Sequence, residues 1–397
     1  MSRDTAALDP SRQFHHWWNN ERFRGILYQV LLLAAVVGVG WFLVSNTLTN
    51  LNARHIATGF VFLDHEAGFG ISEHLIDYVP SDSYLRAFAV GLINTVEIAV
   101  LGIVLTTLLG IVMGVLRLSS NWLVARLAAG YVEAMRNVPV LLLLLFCYSG
   151  ITVGLPLARN AYSLFDCIYL SNRGLKLPAP VWDASTQAVT AALVAALVLA
   201  ALVSAFARRQ LDRTGRSLPV VRINLGLVLG LPLVVFLAGG AHLSIDVPHL
   251  AGFNFAGGVT ISPEFAALLL GLVAYTGAFV AEIVRSGILA VSYGQTEAAL
   301  ALGLTRMQVL RLVVLPQSLR VIIPPLTSQY LNLIKNSPLA VAIGFPDLVS
   351  VANTAINQTG QAVEGVTIIM TIYLGLSLLI SVLMNWYNRR VALRGGR

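Results

Sequence analysis

The chain has 397 residues, of which 57% are hydrophobic and only 11% are charged. Soluble domains carry about 25% charged residues, so this composition predicts a protein that crosses a membrane several times. The net charge of +7 does not indicate nucleic-acid binding, because the arginines form short clusters between apolar segments. Cys147 and Cys167 show neither a disulfide framework nor metal-ligand spacing, and no metal site is predicted.

Eight apolar segments are long enough, or nearly so, to cross a hydrocarbon core of about 30 Å as helices. They lie near residues 25–45, 87–116, 131–155, 185–206, 222–241, 264–285, 322–344 and 366–387. Their length and their lack of apolar–polar alternation argue against strands. The predicted fold is an all-α polytopic membrane protein with about eight transmembrane helices. Pro324, Pro325 and Pro338 predict a kinked seventh span.

Basic residues in the connecting segments orient the spans, because cytoplasmic loops are enriched in Lys and Arg. With the N-terminus inside, 19 basic residues fall in inner segments and 5 in outer segments. Both termini, residues 1–24 and the basic tail 391–397, are therefore predicted to be cytoplasmic. Residues 14–24 mix aromatic and basic side chains, which predicts an interfacial anchor or, alternatively, a partner-docking segment. The polar, acidic residues 46–84 are predicted to form an external loop.

Residues 294–317, between the sixth and seventh spans, have a regular helix-forming pattern. The run from Glu297 to Leu302 favours a helix, and Thr296 is its predicted N-cap. Gly303 can adopt a positive φ angle without steric cost and so end that helix.

A second helix is predicted directly after this glycine. Thr305 and Gln308 form the pattern of a capping box, in which each side chain satisfies a backbone amide of the other. Pro316 is predicted to stop or kink this helix. The expected product is a rigid elbow of two helices on the cytoplasmic side.

The same segment resembles the EAA motif of ABC-importer permeases, Glu-Ala-Ala-x3-Gly-x9-(Ile/Val)-x-Leu-Pro. The matching residues are Glu297, Ala298, Ala299, Gly303, Val313, Leu315 and Pro316, with Val where Ile is common. The resemblance implies a type I ABC-importer-like transmembrane domain whose elbow couples ATP hydrolysis to transport. This chain has no Gly-x4-Gly-Lys-Ser/Thr sequence, so ATP and Mg are expected on a separate ATPase. No catalytic residue and no cofactor are expected on this chain.

The flanking residues narrow the resemblance to polar amino acid permeases. Residues 131–139, 275–295 and 315–325 resemble stretches of that family, and the likeness covers about 84–150 and 262–390. It implies a bacterial inner-membrane importer of L-amino acids, in which the loop 46–84 is periplasmic. The implied partners are a second homologous permease, a dimer of ATP-binding subunits and a periplasmic amino-acid-binding protein.

The chain also departs from the short permeases of that family. Against a core of 84–155 and 263–390, it adds the span 25–45 and an insertion, 156–262, that contains two spans. In this it is similar to the larger permease of general L-amino acid transport systems.

Polar and ionisable residues within spans are candidate functional groups, because burying them in a membrane is costly. Candidates for a substrate path are Glu97, Tyr275, Thr276, Lys335 and Asn336. Glu97 is either a partner for a substrate ammonium group or an interhelical hydrogen-bonding group. Lys335 with Asn336 either meets a substrate carboxylate or fixes the kinked seventh helix.

Two pairs at i, i+3 spacing, Glu133 with Arg136 and Glu282 with Arg285, are interpreted as mainly structural ion pairs. Gating or another functional role is the alternative for both pairs.

Two other classes of function fit the sequence less well. An ion-coupled secondary transporter of amino acids would also use kinked helices and intramembrane charges, but it does not explain the spacing of residues 297–316. An intramembrane enzyme is disfavoured, because the sequence has no Cys/His cluster, no Ser-Lys dyad at depth and no His-Glu-x-x-His.

Overall fold

The computed structural model describes residues 21–53, 58–215, 218–238, 245–252 and 254–391. The helices are α1 (Glu21–Ala53), α2 (Tyr84–Leu116), α3 (Trp122–Asn137), α4 (Val140–Thr152), α5 (Ala184–Thr214), α6 (Val220–Ala238), α7 (Pro263–Leu289), α8 (Tyr293–Ala301), α9 (Arg306–Val309), α10 (Leu315–Asn336), α11 (Leu348–Thr359) and α12 (Ala362–Val391). A π-helical turn, Leu310–Val314, joins α9 to α10, and 3-10 turns lie at Phe60–Asp64, Ala158–Asn160 and Ser337–Ile343.

The number of spans agrees with the prediction. Among the described residues, 7 helical stretches are long and apolar enough to cross a membrane, or 8 if α3 and α4 together form one span. The stretch Arg306–Ile343 counts as a single span in spite of Pro324 and Pro325 within α10. The predicted interfacial anchor at 14–24 falls mostly on residues 1–20, which lie outside the described residues, as does all but the first residue of the tail 391–397.

The prediction of one continuous third span at 131–155 was wrong. The chain bends by 108° between α3 and α4. Val138 has extended backbone angles, because a following proline disfavours the helical conformation, and Pro139 precedes the first residue of α4. The sequence Val138-Pro139 carried this signal.

The prediction of an all-α fold was wrong for the insertion. Eight short strands lie there: β1 (Tyr162–Leu164), β2 (Ile168–Ser171), β3 (Gly174–Leu177), β4 (Ala179–Pro180), β5 (Ile245–Asp246), β6 (His249–Ala251), β7 (Asn254–Ala256) and β8 (Val259–Ile261). They form an antiparallel sheet of order β1-β2-β3-β8 and two strand pairs, β4-β5 and β6-β7. The structure is therefore mostly helical, with β-hairpins in the insertion.

The four-stranded sheet packs at the N-terminal end of α7. Its last strand, β8, ends one residue before Ser262, the N-cap residue of α7. Pairing β3 with β8 requires a glycine at residue 174, which has φ +96°, because an added Cβ would lie 2.1 Å from the carbonyl oxygen of Ile261.

The centre of the bundle depends on small residues along α2. Thr106 and the glycines at 102, 110 and 114 recur every four residues and are buried. A Cβ at Gly110 would lie 2.3 Å from Cγ1 of Val280, and one at Gly114 would lie 2.7 Å from the carbonyl oxygen of Ala281. The backbones of α2 and α7 therefore approach closely, as small residues permit between membrane helices.

The helices outside the predicted core contribute little to the buried interior. The apolar windows of α1 and α6 have no buried residues. The helix α5 packs on α6, and Asn224 donates a hydrogen bond to Ser204 Oγ at 2.8 Å between them. Their exposed apolar surfaces suit contact with lipid.

The two ends of the helical bundle are built from different elements. The Glu73 end contains the loop before α2, the N-terminus of α7 and the strands of the insertion. The Glu297 end contains the C-termini of α2 and α7 and the helices α8 and α9.

Candidate functional site

The first helix of the predicted elbow starts earlier than the sequence suggested. It begins at Tyr293 after Ser292, and no side chain caps its N-terminus. The prediction of Thr296 as the N-cap was therefore wrong, because Thr296 lies within the helix and Ser292 occupies the N-cap position. The predicted role of Gly303 in the backbone is confirmed: φ is +82°, and its amide donates a hydrogen bond to the carbonyl of Leu300 at 2.9 Å.

The capping box of the second helix is confirmed. The amide of Gln308 donates to Thr305 Oγ1 at 3.4 Å, and the amide of Thr305 donates to Gln308 Oε1 at 2.9 Å. Of the two predicted effects of Pro316, a stop is not observed, whereas the regular α-helical pattern is interrupted by a π-helical turn just before it. The π-helical turn before it carries the chain into the first turn of α10, where proline is tolerated. The elbow is therefore continuous with a membrane-spanning helix.

The elbow exposes an apolar surface while holding its own two helices together. Ala299 and Val309 are buried, and the amide of Leu304 donates to the carbonyl of Ala299 at 3.3 Å. Large apolar side chains lie exposed on both sides of the turn, at Tyr293, Leu302, Met307 and Leu312. Exposed apolar patches of this kind mark contact surfaces.

The other residues of the motif lie on or beside this surface. Glu297 and Ala298 are exposed on α8. Leu315 is exposed and Pro316 is half-buried at the start of α10. Small side chains on α8 leave its backbone open to close approach by a partner.

A cluster of charges at the Glu297 end centres on Glu282. Its Oε1 accepts a hydrogen bond from Arg285 at 2.8 Å, as the i, i+3 spacing predicted. Its Oε2 accepts a hydrogen bond from Arg117, at the C-terminus of α2. No sequence pattern pointed to Arg117 beyond its place in an inner loop.

The predicted pairing of Glu133 with Arg136 is not present. Glu133 is exposed and takes part in no ion pair within the described residues. Arg136 instead lies 4.0 Å from Glu282 Oε2, with its guanidinium 5.5 Å from the ring centre of Phe279. Arg136 faces α7, so its tertiary neighbours replace the neighbour on its own helix.

The five candidates for a substrate path do not form one cluster. Thr276 is buried, Glu97 and Asn336 are half-buried, and Lys335 is exposed. Tyr275 packs against Phe279 with ring centres 5.1 Å apart. In the part of the chain that the structure describes, no hydrogen bond or ion pair joins any two of these five residues.

Asp347 is a buried polar residue that the sequence analysis missed. Its side chain caps α11 by accepting the amide of Ser350 at 2.8 Å, and Tyr373 donates to it at 3.4 Å. Burial raises the pKa of Asp347 to about 6. An Asp directly before an apolar helix start is an N-cap signal, so the sequence contained the information.

Comparisons with known proteins identify relatives of this chain. Residues 214–393 match the family described as "Binding-protein-dependent transport system inner membrane component". YhdX of Escherichia coli (strain K12), whose name places it among amino-acid ABC transporter permeases, is 50% identical over 94% of this chain and 95% of its own length. The general L-amino acid transport system permease protein AapQ of Rhizobium johnstonii (strain DSM 114642 / LMG 32736 / 3841) is 48% identical over 94% of this chain and 93% of its own.

A solved structure of an amino acid ABC transporter with histidines is 23% identical, with a TM-score of 0.46, and covers 77% of this chain and 95% of its own. The identity to full-length relatives decides the family, and it removes the ion-coupled transporter from consideration. The protein is a multi-pass inner-membrane permease subunit and not itself the ATPase. The chain therefore belongs to the amino-acid ABC transporter permeases, within the inner-membrane components of binding-protein-dependent transport systems.

Proposed function

We propose that this subunit carries L-amino acids across the bacterial inner membrane, driven by ATP hydrolysis on a separate subunit. The observation that carries the proposal is the elbow, a capped pair of short helices with an exposed apolar surface that continues into α10. The cargo is supported by the name of AapQ, a general L-amino acid permease.

The elbow is the surface that we assign to the ATPase. Its contact residues would be Glu297, Ala298 and Ala299 on α8, with Gly303, Leu315 and Pro316 fixing its shape. Movement of a docked ATPase would reach α10 directly, because only the π-helical turn separates α9 from it. Ile322 on α10 packs so tightly on Gly287 of α7 that an added Cβ would lie 2.2 Å from it. Such packing transmits a displacement of one helix to the next.

The orientation follows from the positive-inside rule. The Glu297 end and both termini would be cytoplasmic, and the Glu73 end periplasmic. We further propose that 84–155 and 263–390 form the transport core, whereas 25–45 and 156–262 are additions to it. The helices α5 and α6 pack on each other rather than on the core helices, which supports this division.

A permease of this family works with an ATPase and a binding protein. We propose that this chain pairs with a second homologous permease, with a dimer of ATP-binding subunits that holds ATP and Mg, and with a periplasmic amino-acid-binding protein. No cofactor on this chain enters the proposal.

The substrate path and its closure are assigned by depth and chemistry. We propose that Glu97, Tyr275, Thr276, Lys335 and Asn336 contact the substrate at successive stages, since they are not joined to one another. The cluster around Glu282 would close the cytoplasmic end by tying α2 to α7.

Transport by the reconstituted complex tests this function. Vesicles that contain both permeases and the ATPase should take up labelled L-amino acids only with ATP on the ATPase side and the binding protein on the other. Dissipating ion gradients should leave uptake unchanged. Uptake that follows an ion gradient and does not need ATP would contradict the proposal.

A further inference from the structure

A polar cavity of about 750 Å³ lies at the Glu73 end, where the insertion meets the core. The loop before α2, the last turns of α4 and the first turn of α7 form one side of it. Strands β3, β7 and β8 and the β2–β3 turn form the other side. Its size is within the range of ligand-binding cavities, roughly 300–1,000 Å³.

The core side of the cavity carries two carboxylates, each held by one hydrogen bond. Glu73 Oε2 accepts from Ser262 Oγ at 2.7 Å, and Glu264 Oε1 accepts from the hydroxyl of Tyr148 at 3.1 Å. No hydrogen bond within the described residues uses the second oxygen of either carboxylate. Both side chains are therefore positioned by the core and keep an acceptor oxygen for a ligand.

The insertion side carries two cations. Arg173 lies in the turn between β2 and β3, and Lys176 on β3 donates a hydrogen bond to Thr260 Oγ1 on β8. None of the ion pairs in the described part of the chain joins these cations to Glu73 or Glu264. Charges of opposite sign thus line one cavity without neutralising each other.

A buried acceptor in the same wall also lacks a partner. Asn172 Oδ1 is buried and receives no hydrogen bond from the described residues. Buried polar atoms are normally hydrogen-bonded, and this oxygen has almost no accessible surface, so only a shift of the β2–β3 turn would bring it into contact with a ligand. Burial also raises the pKa of Glu73 to about 6 and lowers the pKa of Lys176.

We propose that this cavity is an outer binding site for a free α-amino acid. Arg173 and Lys176 would bind its carboxylate, and Glu73 and Glu264 its ammonium group. A zwitterion matches both sides, whereas an anion or a cation alone would leave one pair of charges unmatched. The inference rests on the proposed amino acid import, and it assigns to the insertion a wall of the site.

Equilibrium binding to the full transporter, purified without its binding protein, tests the site. The probes are tritiated L-glutamine, L-leucine and L-arginine, each used separately. At least one should bind to the wild type, and the double variant Arg173→Gln/Lys176→Gln should bind it about ten-fold more weakly, as expected for loss of a charged contact. Glu73→Gln should weaken it similarly. Neither the N-acetylated nor the amidated form of the bound amino acid should compete.

Asp166→Asn is the matched control. It removes one charge from the same insertion, in the β1–β2 turn outside the cavity, and Asn tolerates the φ of +52° there. Its binding should equal that of the wild type. If the double variant does not assemble, the isosteric Glu73→Gln variant decides the question.

The site would be overturned by no binding of any probe to the wild type, by equal binding in the cavity variants, or by effective competition from both blocked forms. Unchanged amino acid binding with weaker association of the binding protein would overturn it too, by making the cavity a docking surface. ATP-driven uptake by the wild type separates the two proposals. If the wild type shows ATP-driven uptake and the double variant binds the amino acid as tightly as the wild type, only the site is rejected. If the wild type shows no uptake, the import function is rejected.

Discussion

The guanidinium of Arg117, at the end of α2, donates a hydrogen bond to Oε2 of Glu282 on α7. These residues are 165 positions apart in the chain. Glu282 also accepts from Arg285 and lies 4.0 Å from Arg136, so one carboxylate faces three cations at the point where α2 and α7 approach closely. Removing that carboxylate should therefore weaken the contact between α2 and α7.

We expect Glu282→Gln to lower the stability of the complex by about 1–3 kcal/mol, because it leaves two partly buried guanidinium groups without their anion. The side chain of Arg117 is only 13% exposed, which limits the compensation by water. Thermal unfolding of the purified complex measures the effect. Glu133→Gln is the control, since Glu133 is exposed and forms no ion pair among the described residues, and an equal loss in both variants would contradict the role of the cluster.

Two changes in the elbow should abolish uptake while leaving the subunit in the membrane. Gly303→Pro removes the amide that bonds to Leu300 and cannot adopt φ +82°. Glu297→Lys reverses an exposed charge on the proposed docking helix. ATP-driven uptake and membrane content are measured together. Gly294→Ala in the same helix should transport normally, because its Cβ would meet no atom closer than 3.7 Å, and normal uptake by both test variants would refute coupling through the elbow.

Gly114→Val should disrupt the contact of α2 with α7. Its Cβ would lie 2.7 Å from the backbone oxygen of Ala281, which cannot move aside without shifting the helix. Overpacking of this kind costs about 1–3 kcal/mol. The yield of intact complex and its resistance to protease report the effect. Gly130→Ala on α3, where a Cβ meets nothing within 4 Å, should behave as the wild type, and equal yields would show that the close approach is not required.

Glu97→Gln tests the substrate path. If the carboxylate meets the substrate ammonium group, the isosteric amide should raise the substrate concentration for half-maximal uptake by about ten-fold, which corresponds to one charged hydrogen bond. Basal ATP hydrolysis should not change. If uptake and its coupling to ATP hydrolysis are unaltered, the substrate role of Glu97 is wrong and the side chain serves as an interhelical hydrogen-bonding group.

The raised pKa of Glu73 predicts a pH effect on stability. Burial is the main cause, the hydrogen bond from Ser262 opposes it, and the charges of Glu97 and Glu264 add to it. Because the folded pKa of about 6 exceeds the ordinary value of 4.5, the folded state holds its proton more firmly than the unfolded state. Stability therefore falls as pH rises from 4.5 to 6.

Glu73→Gln should remove this dependence. At pH 7.5 the variant should be more stable than the wild type by about 1 kcal/mol, after allowance for partial exposure, and at pH 4.5 the difference should vanish. Thermal unfolding at both pH values measures it. The other charged groups that line the same cavity are Arg173, Lys176 and Glu264. A variant that is less stable at pH 7.5 would show that these cations stabilise the ionised carboxylate.

The class of protein, the approximate spans and the local geometry of the elbow could be predicted from the sequence. A long apolar segment predicts a membrane span because backbone polar groups in lipid must be hydrogen-bonded, and a helix forms these bonds within the segment itself. The positive φ of Gly303 and the capping box of Thr305 with Gln308 depend on residues at most three apart. The predicted ion pair of Glu282 with Arg285 was confirmed for the same reason, since the two residues are three positions apart.

Contacts between groups that are distant in sequence could not be predicted, because they depend on how the helices pack. Glu133 and Arg136 have the same spacing as Glu282 and Arg285, yet Arg136 faces α7 and has no contact with Glu133 among the ion pairs described. The strands of the insertion depend on pairing across two membrane helices, as β3 pairs with β8. The polar cavity draws its walls from four separate segments. Such contacts arise from packing, since neither spacing nor composition fixes which surfaces of distant segments face each other.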